Sequence, residues 1–213
     1  MELYKNKYRI SSARLQGFDY GANGAYFITI CTQNREHFFG EIVDDATATV
    51  ETPCMASLPE NKMQLNELGR LVETEWVKTI ELRPDMNLEM GAFVVMPNHF
   101  HAIIIIGENE FNSCRDAMQG QGGDAMQGQG GDAMHRVSTA LGNVFGPQSK
   151  NLASIVRGFK SAITAGAKKM GITDFAWQSR FHDHIIRNSE SFERIQNYIA
   201  DNPFNWKNDT FNQ

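Results

Sequence analysis

The aliphatic run Ala102-Ile103-Ile104-Ile105-Ile106, entered through Met96-Pro97-Asn98-His99-Phe100-His101 and closed by Gly107, constrains this chain more than any other stretch. A short run dominated by β-branched isoleucine reads as a buried strand. Pro97-Asn98 reads as a turn, because proline presets φ and asparagine tolerates turn conformations. The run from Leu88 to Met96 is then the partner strand of an antiparallel hairpin. Side chains alternate along a strand, so His99 and His101 share one face, about 7 Å apart. Two neutral imidazoles at that spacing can converge on one divalent cation. The chain has six histidines, and His182-Asp183-His184 offers a rival pair. The bare pattern is therefore weak evidence and position must decide: histidines where a turn enters an apolar strand are unusual as pure packing, since each buried imidazole needs hydrogen-bond partners.

The remainder of the chain sets the class. With 213 residues, 41% of them hydrophobic, one well-buried domain is expected. The longest aliphatic run falls far short of a membrane span, and the polar N-terminus lacks the apolar core of a signal peptide, so a cytoplasmic protein is expected. Cys31, Cys54 and Cys114 form no Cys-x-x-Cys pair and are odd in number, which points away from a disulfide framework or zinc ribbon. The net charge of −5 is unevenly spread. Residues 41–90 hold eleven acids and four bases, whereas residues 149–187 hold seven bases and two acids, so the basic surface lies in the second half.

Along the chain, residues 1–20 mix Lys5, Lys7, Arg9 and Arg14 with Tyr8, Phe18 and Tyr20, as expected for either a strap over the core or a DNA-contacting arm. Ala25 to Thr32 reads as the first strand. Phe38–Val43 and Ala46–Val50 are expected to pair as a small hairpin around Asp44-Asp45. From Met63 to Leu82, the spacing of Leu65, Leu68, Val72, Trp76 and Ile80 predicts an amphipathic helix. Residues 116–123 recur identically at 124–131, and 108–148 keep no hydrophobic period, so that segment is expected to be a flexible linker without chemistry. A deletion of 116–131 is expected to retain full activity. A second helix is expected from Ser149 as N-cap to Met170, with Lys150, Arg157, Lys160 and Lys168 along one flank, a footprint suited to a phosphate backbone. Trp177 to Arg187 reads as a last strand, with His182, His184 and Ile186 on one face. A final helix from Ser189 or Ser191 carries Phe192, Ile195 and Ile199 toward the core and stacks Tyr198 with Asn202 on a flank before Pro203. The order is that of an α+β, ferredoxin-like βαββαβ antiparallel sheet with an added C-terminal helix, one domain over 1–213 interrupted at 108–148.

Several stretches together resemble the single-tyrosine HUH transposases, in particular the REP-associated tyrosine transposases. They are Ser12-Ala13-Arg14-Leu15-Gln16-Gly17-Phe18-Asp19-Tyr20, Gly24 to Thr32, Met96 to His101, Phe159-Lys160-Ser161, Trp177-Gln178, Asp183 to Arg187 and Tyr198-Ile199-Ala200-Asp201-Asn202-Pro203. The resemblance implies a metal-dependent single-stranded DNA endonuclease and strand transferase acting through a 5′-phosphotyrosine. It assigns Tyr198 as nucleophile, His99, His101 and Asn202 as metal ligands, and magnesium or manganese as the metal. Arg14, Arg157, Lys160 and Arg187 are the expected DNA contacts, the partner is single-stranded or hairpin DNA, and the protein is expected as monomer or homodimer. Two features depart from the family: Ala102 stands where glycine is common, and the octapeptide repeat has no counterpart. The competing readings are a DNA-binding module of the same fold that no longer transposes, and a metallohydrolase built on His182 and His184.

Overall fold

The computed structural model describes residues 18–44, 61–112 and 149–212. Its centre is a four-stranded antiparallel sheet of β1 (Gly24–Cys31), β4 (Leu88–Met96), β5 (His99–Ile106) and β6 (His182–Ile186), in the order β4-β5-β1-β6. Helix α1 (Glu67–Glu81) joins β1 to β4 and helix α2 (Leu152–Lys169) precedes β6, which gives the ferredoxin-like order; α3 (Ser189–Asp201) follows. The class is α+β, as the sequence predicts.

The sheet has two unlike faces. On one, Tyr26, Ile28 and Ile30 of β1 and Phe100, Ala102 and Ile104 of β5 are buried beneath α1 and α2. Trp76, Phe100 and Phe159 interlock there with ring centroids 5.1–5.2 Å apart. On the other face Phe27, Ile103 and Ile186 receive Ile195 and Ile199 of α3. Burying those two isoleucines is worth about 1.5–3 kcal/mol each, which fixes the helix on this face. Register then decides where the chemistry sits: Cys31 pairs with His99 and Thr29 with His101, so both histidines point to the α3 side.

Several boundaries differ from the sequence reading. The strand β2 (Gly40–Asp44) pairs with β3 (Asn61–Leu65), not with 46–50, which lie outside the described residues. Consequently α1 begins at Glu67 rather than Met63. Asn66 caps it, accepting from Gly69 N at 2.9 Å while its amide donates to Phe38 O. Helix α2 is capped by Asn151 and not Ser149, because Lys150 sits at φ 57°, a left-handed conformation that cannot continue a helix. Helix α3 begins at Ser189, as the sequence predicts, with Asn188 as its cap. The last strand is shorter than predicted, and Trp177 contributes only an isolated bridge to Thr32. The linker expected at 108–148 lies outside the described residues from 113 onward. Among the described residues, no helix is long and apolar enough to cross a membrane.

Candidate active site

Four predicted site residues come together on the α3 face. His99 and His101 are buried, with ring centroids 4.5 Å apart. Tyr198 is half-exposed on α3, and its hydroxyl lies 3.3 Å from His101 Nε2. Asn202, one turn further on, is buried beside His99 and Tyr198 and shifts both pKa values. The i, i+4 spacing is what sets the phenol and the amide on one flank.

The orientation of each imidazole follows from its outer neighbour. Asn98 is buried and donates both amide hydrogens, to the carbonyls of Arg35 (3.0 Å) and Phe211 (2.8 Å). Its Oδ1 is therefore free to accept, and His99 Nδ1 lies 2.8 Å from it. His99 must carry its proton on Nδ1, which leaves a bare lone pair on Nε2. Nε2 has no hydrogen-bond partner, and neither has the buried Oδ1 of Asn202. His101 Nδ1 lies 2.8 Å from Thr29 Oγ1. Phe27 stacks on the His101 ring at 5.3 Å and meets Tyr198 edge-on at 6.1 Å, so one side chain steadies both.

Burial keeps the imidazoles neutral. The pKa of His99 is pushed down to about 3, chiefly by desolvation, with the Arg35 charge lowering it further and Asn202 raising it. His101 is lowered well below its ordinary value by desolvation, then by the charges of His99 and His182. Tyr198 is raised by desolvation and by Asp209, with Asn202 acting in the opposite direction.

These donors fit a divalent cation. Two buried acceptors, His99 Nε2 and Asn202 Oδ1, have no hydrogen-bond partner, and His101 Nε2 has a 3.3 Å contact with the Tyr198 hydroxyl. Among the described residues no group of three His, Cys, Asp or Glu side chains is set to hold a metal, so a cation bound here would have to take two imidazoles and an amide. Such a set leaves coordination positions for water or a phosphate oxygen.

The other predicted residues are elsewhere. His182 and His184 are exposed on the edge strand, in register with Thr29 and Phe27; His182 acts on His101 through its charge, but neither is among the buried residues of the cluster. Arg187 is exposed just beyond β6. Arg157 and Lys160 line a groove beside α2 together with Lys168. Lys150 leaves that stripe, since it precedes the helix and pairs with Asp85. Arg14 lies outside the described residues.

The sequence reading missed the C-terminal segment. Phe211 packs on His99 at 4.6 Å, Trp206 lies 6.0 Å from it, and Arg35 both covers the Phe211 ring and donates to Thr210 O at 2.7 Å. The signal was three aromatics, Phe204, Trp206 and Phe211, in an otherwise polar tail after Pro203.

Topology and cluster together define a class: an α+β protein of ferredoxin-like order that opposes a strand-borne His-x-His to a helix-borne Tyr-x-x-x-Asn. No protein-family model matches the chain. It is 33% identical over 201 residues to an uncharacterized protein of Haemophilus influenzae, covering 93% of this chain and 90% of that one, and it belongs to that protein's family. Two solved structures are similar. The REP-associated tyrosine transposase bound to a REP hairpin matches with a TM-score of 0.48 at 18% identity, over 92% of this chain and 74% of that one. A putative transposase from Deinococcus radiodurans matches with a TM-score of 0.32 at 13% identity, over 88% of this chain and 95% of that one.

Proposed function

We propose that this chain is a REP-associated tyrosine transposase: a single-stranded DNA endonuclease and strand transferase of the HUH kind, dependent on magnesium or manganese. The observation that carries this reading is the Tyr198 hydroxyl 3.3 Å from His101 Nε2, beside the unpartnered His99 Nε2 and Asn202 Oδ1. A half-exposed phenol is reachable by a strand, and a buried neutral donor set beside it is of use only to a cation or a proton.

A divalent cation held by His99 Nε2, His101 Nε2 and Asn202 Oδ1 would withdraw charge from the phosphate oxygens and steady the departing 3′ oxygen. Tyr198 Oη attacks phosphorus, the bond from phosphorus to the 3′ oxygen breaks, and a 5′-phosphotyrosyl link with a free 3′-hydroxyl results. Tyr198 gives up its proton as it attacks, and the departing 3′ oxygen takes one up, so the exchange of one ester for another is proton-neutral overall. Asn202 assists by favouring the phenolate, against the burial and the Asp209 charge that oppose it. Since the phosphate is esterified to tyrosine and not to water, attack by another 3′-hydroxyl reverses the step and joins strands. Arg14, Arg157, Lys160 and Arg187 are the proposed backbone contacts.

The test is incubation of the protein with labelled single-stranded and hairpin DNA and Mn²⁺, followed by a search for a covalent adduct. Tyr198→Phe abolishes it, and His99→Ala or His101→Ala abolishes cleavage. An adduct that survives Tyr198→Phe sinks the nucleophile and makes Tyr20 the next candidate. Cleavage that survives both histidine substitutions sinks the metal assignment.

A further inference from the structure

The two imidazoles of the site are oriented by neighbours of different kinds. Asn98 can only accept from His99 Nδ1, because the carbonyls of Arg35 and Phe211 engage both of its amide hydrogens. Thr29 lies opposite His101 in the pairing of β1 with β5, and its Oγ1 is 2.8 Å from His101 Nδ1. A hydroxyl can donate or accept, and it turns about a single bond. The tautomer of His99 is therefore locked from outside, and that of His101 is not.

Burial decides which way Thr29 points in the metal-free protein. Thr29 is 5% exposed and His101 is 1% exposed, and among the described residues the Thr29 hydroxyl has no second hydrogen-bond partner. Both imidazoles are neutral, so each carries one ring proton. If that proton sat on His101 Nδ1, Thr29 would accept it and its own O–H would be buried with nothing to donate to. With Nδ1 bare, the Thr29 O–H is satisfied, and Nε2 carries the proton toward the Tyr198 hydroxyl oxygen 3.3 Å away. Buried donors are rarely left orphaned, which favours the second arrangement. Tyr198 is half-exposed, so its own proton can go to water while its oxygen accepts. A cation on Nε2 demands the opposite, a bare Nε2 and a proton on Nδ1.

We propose that Thr29 is a positioning residue that acts through His101 in both states: it donates to Nδ1 while Nε2–H holds the Tyr198 hydroxyl, and accepts from Nδ1–H when a divalent cation takes Nε2. The ring loses one proton to water from Nε2 and gains one from water at Nδ1, so its charge does not change. His101 thus holds either the phenol or the cation, and loading the site frees Tyr198. His99 keeps one tautomer throughout. This rests on the divalent-cation reading above and adds how the site passes from its metal-free to its loaded state.

The tautomers are read by ¹⁵N NMR of the full chain labelled at its histidine ring nitrogens, whose shifts separate a protonated nitrogen from a bare one. His99→Gln and His101→Gln assign the signals. Without metal, His99 is expected protonated at Nδ1 and His101 at Nε2; with Zn²⁺, a diamagnetic cation suited to imidazole, His101 moves to Nδ1 and His99 stays. Thr29→Val keeps the branched shape that suits a strand and removes both hydrogen-bonding roles, whereas Thr29→Ser keeps the hydroxyl. Calorimetric Mn²⁺ affinity should fall about 10- to 100-fold in Thr29→Val and recover in Thr29→Ser. Should Thr29→Val not fold, the tautomers of the unsubstituted chain still decide. A metal-free His101 already protonated at Nδ1 overturns the proposal and leaves the cation reading standing, as does wild-type Mn²⁺ affinity in Thr29→Val. If neither histidine responds to Zn²⁺ and no Mn²⁺ binds, the cation reading falls and takes the proposal with it.

Discussion

Lowering the pH from 7 to 5 should unfold this protein more readily through His99 and His101. His99 has its pKa pushed from 6.5 down to about 3 by burial. Between those values the unfolded chain binds a proton that the folded chain refuses, so stability is complete above pH 6.5 and is lost progressively as pH falls toward 3. With an unfolded pKa of 6.5 and a folded site still neutral at pH 5, His99 alone accounts for about 2 kcal/mol of lost stability between pH 7 and 5. The whole interval down to pH 3 is worth about 5 kcal/mol. His101, lowered by burial and by His99 and His182, adds a contribution of the same sign. Asp85 is held below its ordinary value by Lys150 and acts only at more acidic pH. The assay is urea unfolding at pH 7 and pH 5 in EDTA, comparing wild type with His99→Gln and His101→Gln. Each variant should show a shallower pH dependence, by about 2 kcal/mol for His99→Gln. A ¹³C-labelled histidine titration follows the same protons where a variant is too unstable. Identical pH dependence in wild type and both variants would refute a pair of buried neutral imidazoles.

Three further outcomes follow from particular contacts. Tyr198→Phe removes a hydroxyl whose side chain is 44% exposed and whose contact with His101 is 3.3 Å, so urea unfolding should shift by less than ~1 kcal/mol while the DNA adduct disappears. Asn98→Leu strips the carbonyls of Arg35 and Phe211 of their donors and His99 Nδ1–H of its acceptor; calorimetric titration should show Mn²⁺ affinity falling about 10- to 100-fold, and unchanged affinity would remove Asn98 from the site. Gly69→Ala drives a Cβ to 2.2 Å from the Phe39 carbonyl oxygen and should cost roughly 1–3 kcal/mol in a urea melt, whereas Gly166→Ala meets the end of the Leu71 side chain, which can turn aside, and should cost less because about 1 kcal/mol of helix propensity offsets the contact; the opposite ranking would contradict the packing described.

Much of the fold was legible because it rests on local periodicity. The isoleucine strand, its hairpin partner and the apolar stripes of the three helices were all visible in spacing alone. Helix starts were less so, since Ser149 and Asn151 are both good caps and only the left-handed Lys150 decides between them. The partner of β2 was missed because Met63 and Leu65 fit a strand alternation and a helical stripe equally well. In the site, i, i+2 spacing placed His99 and His101 on one strand face and i, i+4 spacing placed Tyr198 and Asn202 on one helix flank, but only the resemblance to the HUH transposases joined the two pairs. The role of Asn98 was not: it reads as a turn residue, and what makes it a tautomer lock is carbonyls 63 and 113 positions away. The aromatic lid of Trp206 and Phe211 is hidden for the same reason, being a long-range contact made by a short tail.

The neutrality of the site ties its parts together. A carboxylate ligand would cancel part of a cation's charge, whereas two imidazoles and an amide leave all of it for a phosphodiester. That choice requires imidazoles that do not protonate, and burial under Phe27, Phe211 and α3 supplies it by depressing both pKa values. The same burial would raise the phenol and work against attack, yet Tyr198 stays half-exposed at the rim with Asn202 favouring its anion. On the proposed reading, depth would separate the two functions, with the candidate ligands at the bottom of the α3 face and the candidate nucleophile at its mouth. A variant that buried Tyr198 more deeply should lose rate without losing metal.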